Sequence, residues 1–251
     1  MIDTDTLHLQ WALSYPFPRP QTPFVFLDGA TWPLLRTQGA FSDWTIAKPG
    51  GETTLKDAAG AQRLAPLEEG RYHAVAAVGS NAAPAQLRRK FRDYLGDVLI
   101  PVIQIEIPGH VVAYANRIAV YGSVPATLTP HEGGSVTVWA TLLSDRDYEV
   151  MNATEDRGDI YDGVPIAPAH VPEAVTRPFE AYACLTGYLP LLVSAFRSTG
   201  AAWPVGGQWE AQSAAIQALG LSVSVDQFVL ENTSDPDLRE QRDLALSKVR
   251  R

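Results

Sequence analysis

Tyr72-His73-Ala74-Val75-Ala76-Ala77-Val78-Gly79-Ser80-Asn81, followed by Ala82-Ala83-Pro84-Ala85-Gln86-Leu87-Arg88-Arg89-Lys90-Phe91, is the stretch on which the fold turns. Its first seven residues form a short apolar run and read as a buried strand. Gly79-Ser80-Asn81 ends the run. Pro84 fits the first turn of a helix, where its missing N–H costs nothing, and Ser80 or Asn81 is placed to cap it. Leu87, Phe91 and Leu95 recur at i, i+4 and i+8 and mark a buried stripe, with Arg88, Arg89 and Lys90 outside it or at its edge. Strand, tight polar loop and helix in succession aim backbone N–H groups at a ligand.

Downstream, Leu99 to Ile107, His110 to Tyr121, Val124 to Leu128 and Val136 to Leu143 are rich in Val, Ile, Thr and aromatic residues. Gly109, Gly122, Pro130 and Gly133-Gly134 separate them, so successive strands with short turns are expected. Asn116 and Arg117 are read as polar strand positions facing water. Ser144-Asp145-Arg146-Asp147 has the form of a capped helix start with an acidic first turn. That helix is expected to end between Asn152 and Glu155, with a strand or loop over Ile160 to Ile166.

The last third reads as mainly helical. Pro178 to Phe196 is apolar nearly all round and is expected to be a buried helix holding Cys184. Gln208 to Leu219 is a second helix, stopped by Gly220. Ser234-Asp235-Pro236-Asp237 caps a final helix that ends in Lys248-Val249-Arg250-Arg251. Upstream, four prolines between Pro16 and Pro23 and the Gly-rich turns to Gly60 sustain no helical period. Residues 1–70 are therefore expected to be an irregular extension, with Phe24 to Leu27 as an edge strand, and residues 71–251 the main domain.

Hydrophobic residues at 46% and charged residues at 19% make a globular chain able to bury a core. A net charge of −8 argues against nucleic acid or an anionic membrane as partner. One cysteine, Cys184, excludes an internal disulfide and any multi-cysteine metal site; burial within an apolar helix reads it as packing. No basic n-region precedes the first apolar run and no apolar stretch reaches the roughly 20 residues of a membrane span, so a cytoplasmic setting is expected. The five histidines lack ligand spacing, so no metal is expected. G-x-x-x-x-G-K-S/T, G-x-S-x-G and G-x-G-x-x-G are all absent.

Two segments read together resemble the γ-glutamylcyclotransferase-like superfamily. Ala76 to Asn81 and the helix after it resemble the family's strand-to-helix loop, commonly written Y-G-S-N. Val124-Pro125-Ala126-Thr127-Leu128-Thr129-Pro130, then Val136-Thr137-Val138-Trp139-Ala140 and the helix from Ser144 to Thr154, resemble its second half. There a strand leads to V-W-G, a short helix follows, and L-D-x-x-E-G and a tyrosine close the segment. Glu155 falls at the family's catalytic glutamate and Tyr161 at the tyrosine, with 74 positions between Asn81 and Glu155. The resemblance covers about residues 71 to 166. It departs at Val78, where the family has tyrosine, at Ala76, and at Met151-Asn152-Ala153-Thr154-Glu155-Asp156, which lacks the aspartate and the glycine.

The resemblance implies an α+β fold: a small mixed barrel-like β-sheet flanked by helices, with the irregular N-terminal extension and a helical C-terminal third added. It implies cyclisation of a small γ-glutamyl compound to 5-oxoproline, with Glu155 as general base and acid. Val78, Gly79, Ser80 and Asn81 would bind the substrate through backbone N–H groups, Gly79 allowing close approach, and Tyr161 would be a further contact. No cofactor is implied, the partner is a small molecule, and oligomeric state is not readable. Two alternatives keep the fold: a non-catalytic small-carboxylate-binding or interaction domain, and an amide hydrolase. A buried Glu155 beside an open cavity favours the enzyme; a salt-bridged or exposed one favours the binding domain.

Overall fold

A computed structural model describes residues 3–192 and 207–249 of the chain. In order they form α1 (Thr4–Leu13), β1 (Phe24–Leu27), β2 (Ala30–Arg36), β3 (Thr45–Lys48), β4 (Gly51–Thr54), α2 (Leu55–Ala59), α3 (Ala61–Glu68) and β5 (Tyr72–Ala77). Next come α4 (Pro84–Lys90), β6 (Leu99–Ala115), β7 (Ala126–Ser144), α5 (Asp145–Thr154), β8 (Tyr161–Ile166), β9 (Phe179–Cys184) and β10 (Tyr188–Leu192). Three helices close the chain: α6 (Gly207–Ala218), α7 (Val225–Ser234) and α8 (Pro236–Leu246). None of the described helices is long and apolar enough to cross a membrane.

The chain divides into two compact units. The larger comprises residues 19–108 and 137–182 and is an α+β unit built on a mixed sheet, in the strand order β4-β3-β2-β1-β6-β7-β5-β9-β8. Its pairings are antiparallel from β4 to β1, between β1 and β6, and between β7 and β5, whereas β5 runs parallel to β9. Phe24 faces Val102 and Leu27 faces Leu99 in the β1–β6 register. Helices α4 and α5 pack together, and α5 packs on β5.

The expectation of an irregular extension over residues 1–70 is corrected. Those residues supply four strands and three helices, and β1 is no edge: all four of its side chains are buried between β2 and β6. The Pro and Gly punctuation misled because strands of four to seven residues leave little room for a visible period. Their addition makes the sheet larger than the small barrel-like one expected. The four separate strands expected between Leu99 and Leu143 are two long ones, in which Gly109 (φ +70°) and Gly133 (φ +72°) interrupt without turning the chain.

The second unit, residues 1–18, 109–136 and 183–251, has a core in which Tyr114, Ile118, Val124 and Leu189 meet Ala12, Ala211, Ala215, Phe228 and Val229 from α1, α6 and α7. Buried polar side chains fix this packing to backbone. Gln208 receives the Val124 N–H at 2.9 Å and donates to its carbonyl at 2.7 Å, and Ser123 donates to Ala12 O at 2.7 Å. Gly122, at φ +81°, is required twice over, because a Cβ there would lie 2.8 Å from Thr233 Cγ2.

Three further expectations are corrected here. Pro178 to Phe196 is not a helix: β9 and β10 occupy residues 179–184 and 188–192, and residues 193–196 lie outside the described residues, as do Arg250 and Arg251. Cys184 ends a strand, half-buried, with Sγ 3.3 Å from Thr186 Oγ1. Asn116 and Arg117 do not face water. Asn116 is fully buried and donates to the Thr186, Ser247 and Val249 carbonyls, and Arg117 pairs with Asp243 at 2.5 Å.

Candidate functional site

In the α+β unit the loop after β5 is a short 3-10 turn, Ser80–Ala82, and α4 starts only at Pro84. Ala83 is its N-cap, without a side-chain hydrogen bond, so Ser80 and Asn81 are not the caps expected of them. The turn consumes the residues that would have capped a longer helix. Val78 is buried, Ser80 half-buried and Asn81 8% exposed. The Gly79 carbonyl accepts from Arg19 Nη1 at 3.2 Å.

Asn81 turns its side chain to the other end of α4. Lys90 Nζ donates to Asn81 Oδ1 at 2.8 Å, lies 3.4 Å from Met151 Sδ, and is ion-paired and hydrogen-bonded to Glu155 Oε1. The structure thus brings loop residue Asn81 and Glu155 together on one ammonium. Side-chain exposure is 2% for Lys90 and 18% for Glu155, so the cation is enclosed and the carboxylate is partly open. Burial pushes the Lys90 ammonium below the ordinary lysine value, while the Glu155 charge pulls it back up. Lys90, expected outside the buried stripe or at its edge, is the residue at the centre of these contacts that the sequence reading missed. No sequence signal marks it, because it lies off the Leu87–Phe91 stripe and its partner is 65 positions away.

Glu155 is the C-cap of α5, where the helix ends in a Schellman-type turn. Arg157 N–H returns to Asn152 O at 3.4 Å, and Asp156 adopts φ +47°. The left-handed residue stands where the resembled family has glycine. Tyr182 Oη donates to Asn152 Oδ1 at 2.6 Å, and its phenol is held well above the ordinary tyrosine value by burial and then by the charge of Glu155. Tyr182 was also missed, because its segment was read as helix. Arg157 pairs with Glu180 at 3.1 Å beside Tyr148, completing a polar cluster along the same end of α5.

Tyr161 opens β8, is 9% exposed, and accepts the Gly158 N–H on its carbonyl at 2.7 Å. A cavity of about 390 Å³ opens at the opposite end of α5, between α3, Arg71, Asp97 and residues 144–147. Among the described residues no group of three or more His, Cys, Asp or Glu side chains can hold a metal ion. The chemistry available is proton transfer and charge recognition at Glu155 and the 78–81 loop.

No protein-family model and no curated protein matches the chain. Among solved structures it is similar to a γ-glutamyl cyclotransferase at 12% identity and TM-score 0.37, over 68% of this chain and 86% of the other. It is also similar to an uncharacterized protein from Homo sapiens at 10% identity and TM-score 0.36, over 68% and 86%. A solution structure from Arabidopsis thaliana matches at 20% identity and TM-score 0.36, over 48% of this chain and 73% of that one. The α+β fold rests on the sheet and helices described above.

Proposed function

We propose that the α+β unit binds a small γ-glutamyl compound and cyclises it to 5-oxoproline, releasing an amine or amino acid. The observation that carries this reading is the meeting of Asn81 and Glu155, 74 positions apart, on the buried Lys90. The substrate's α-ammonium gives a proton to Glu155. The freed amine attacks the γ-carbonyl carbon, a C–N bond forms within the ring, and the original amide C–N bond breaks. Glu155 returns the proton to the leaving nitrogen, so no water is consumed. Ring closure is intramolecular, so holding the chain folded back supplies much of the rate. Val78 to Asn81 would take the substrate carboxylate or the developing oxyanion, with Tyr161 a further contact.

One observation favours a second reading, a binding domain without turnover. Glu155 is salt-bridged to Lys90, the arrangement named above as favouring a binding domain. By that criterion the ion pair counts for the second reading, as does the cavity at the opposite end of α5; what supports the first is that Lys90 is the desolvated partner, behind a Glu155 that is partly open. The test is 5-oxoproline release from γ-glutamyl amines, γ-glutamyl amino acids and glutathione. Product from wild type and at least ~100-fold less from a folded Glu155→Gln variant supports the enzyme. No product from wild type, with glutamate or 5-oxoproline still bound, supports the binding domain.

A further inference from the structure

We propose that Lys90 is a positioning residue: its ammonium sets the Glu155 carboxylate in register with the Asn81 loop without touching the ligand. The proposal rests on the site reading above and adds the part that holds it together.

Lys90 is the last residue of α4 and Glu155 the cap of α5, so their pair ties the ends of two packed helices. The Nζ contacts have separate destinations: Asn81 in the loop, and Met151 and Glu155 at the end of α5. A rotation of either helix end would break one of them. With 2% of its side chain exposed against 18% for Glu155, Lys90 lies behind the carboxylate. A small molecule arriving from solvent meets the acid before the cation. The charged groups acting on Lys90 are Glu155 and, unfavourably, Arg89 on its own helix. Lysine is seldom buried, and an apolar side chain of similar length would fill the space at no desolvation cost. What such a side chain cannot do is hold one carboxylate oxygen and the Asn81 amide oxygen together.

The experiment compares wild type, Lys90→Met and Lys90→Arg in two assays. In 5-oxoproline release, Lys90→Met is expected to lower kcat by about 100-fold with KM little changed, because displacement of a reacting group by roughly 1 Å has that effect. Lys90→Arg, which keeps the cation, restores part of the loss. Wild-type kcat and pH profile in folded Lys90→Met overturns the proposal, as does a loss carried by KM alone.

The second assay needs no turnover and separates this proposal from the cyclotransferase reading. NMR titration of the Lys90 side chain is expected to give a value below ordinary lysine, falling further in Glu155→Gln. Titration indifferent to Glu155→Gln overturns the proposal whether or not product forms. Where wild type makes no product, 5-oxoproline binding is the readout: weaker binding to Lys90→Met than to Lys90→Arg supports positioning, and equal binding overturns it.

Discussion

Lys90 Nζ donates to Asn81 Oδ1 across 2.8 Å, although nine positions separate them and Asn81 precedes the helix that Lys90 ends. The loop is thereby tied to a buried cation rather than left as a helix cap. Asn81→Leu removes an acceptor from an enclosed ammonium and is expected to lower stability by about 1–3 kcal/mol. Asn81→Asp keeps an acceptor there and is expected to recover most of the loss. Urea denaturation of the two variants checks both, with the slope unchanged from wild type.

Glu155→Gln is expected to make stability more dependent on pH on the alkaline side. Burial holds Lys90 below its ordinary 10.5, and Glu155 opposes that shift. The folded chain therefore releases the Lys90 proton before the unfolded chain does, and the unfolded state binds more protons in the window below 10.5. Stability from this group rises with pH through that window. Without Glu155 the folded value drops further, so the window widens and the rise begins at lower pH. Melting temperatures from neutral pH to about pH 10 should climb more in Glu155→Gln than in wild type; parallel curves would contradict the coupling.

The strand, loop and helix around Gly79 were legible because β5 is a continuous apolar run and Pro84 marks a helix start. The helix capped by Ser144 was legible from its acidic first turn and is found at Asp145–Thr154. Lys90 was not, since amphipathic periodicity assigns a lysine to solvent and cannot register a partner 65 positions away. Tyr182 failed for a different reason. Phe179 to Leu192 forms two strands, and a largely apolar run without strict polar alternation looks like a buried helix. Asn116 was taken for a surface residue because polarity alone says nothing of the three carbonyls that receive its amide.

Asp156 holds a left-handed conformation, φ +47°, directly after Glu155. Aspartate tolerates that region better than most residues but still bears a steric cost of about 1–2 kcal/mol that glycine lacks. Glycine's greater freedom in the unfolded chain offsets part of the gain. Asp156→Gly is expected to raise stability by a few tenths to about 1 kcal/mol. Thermal or denaturant unfolding measures it, and destabilisation would mean that the Asp156 side chain has a favourable contact that outweighs its backbone.

In the second unit Asp243 receives the Ile118 N–H at 2.6 Å and pairs with Arg117 at 2.5 Å, both side chains under a fifth exposed. Burial outweighs these partners and holds the Asp243 carboxyl above 3.8. The folded state therefore keeps a proton that the unfolded state has lost, and this group's contribution to stability falls as pH rises through the window just above 3.8. Arg117→Met removes the compensating cation and is expected to destabilise by about 3–5 kcal/mol at neutral pH, where Asp243 is left charged. Acidification below that window should relieve part of the loss, because protonation removes the uncompensated charge. Adding Asp243→Asn, which keeps an acceptor for Ile118, should recover most of it at neutral pH. Unfolding free energies of the four-member cycle therefore converge at low pH and diverge above it. A cost of Arg117→Met that is the same at both ends of the range would assign the loss to packing of the arginine stem rather than to the pair.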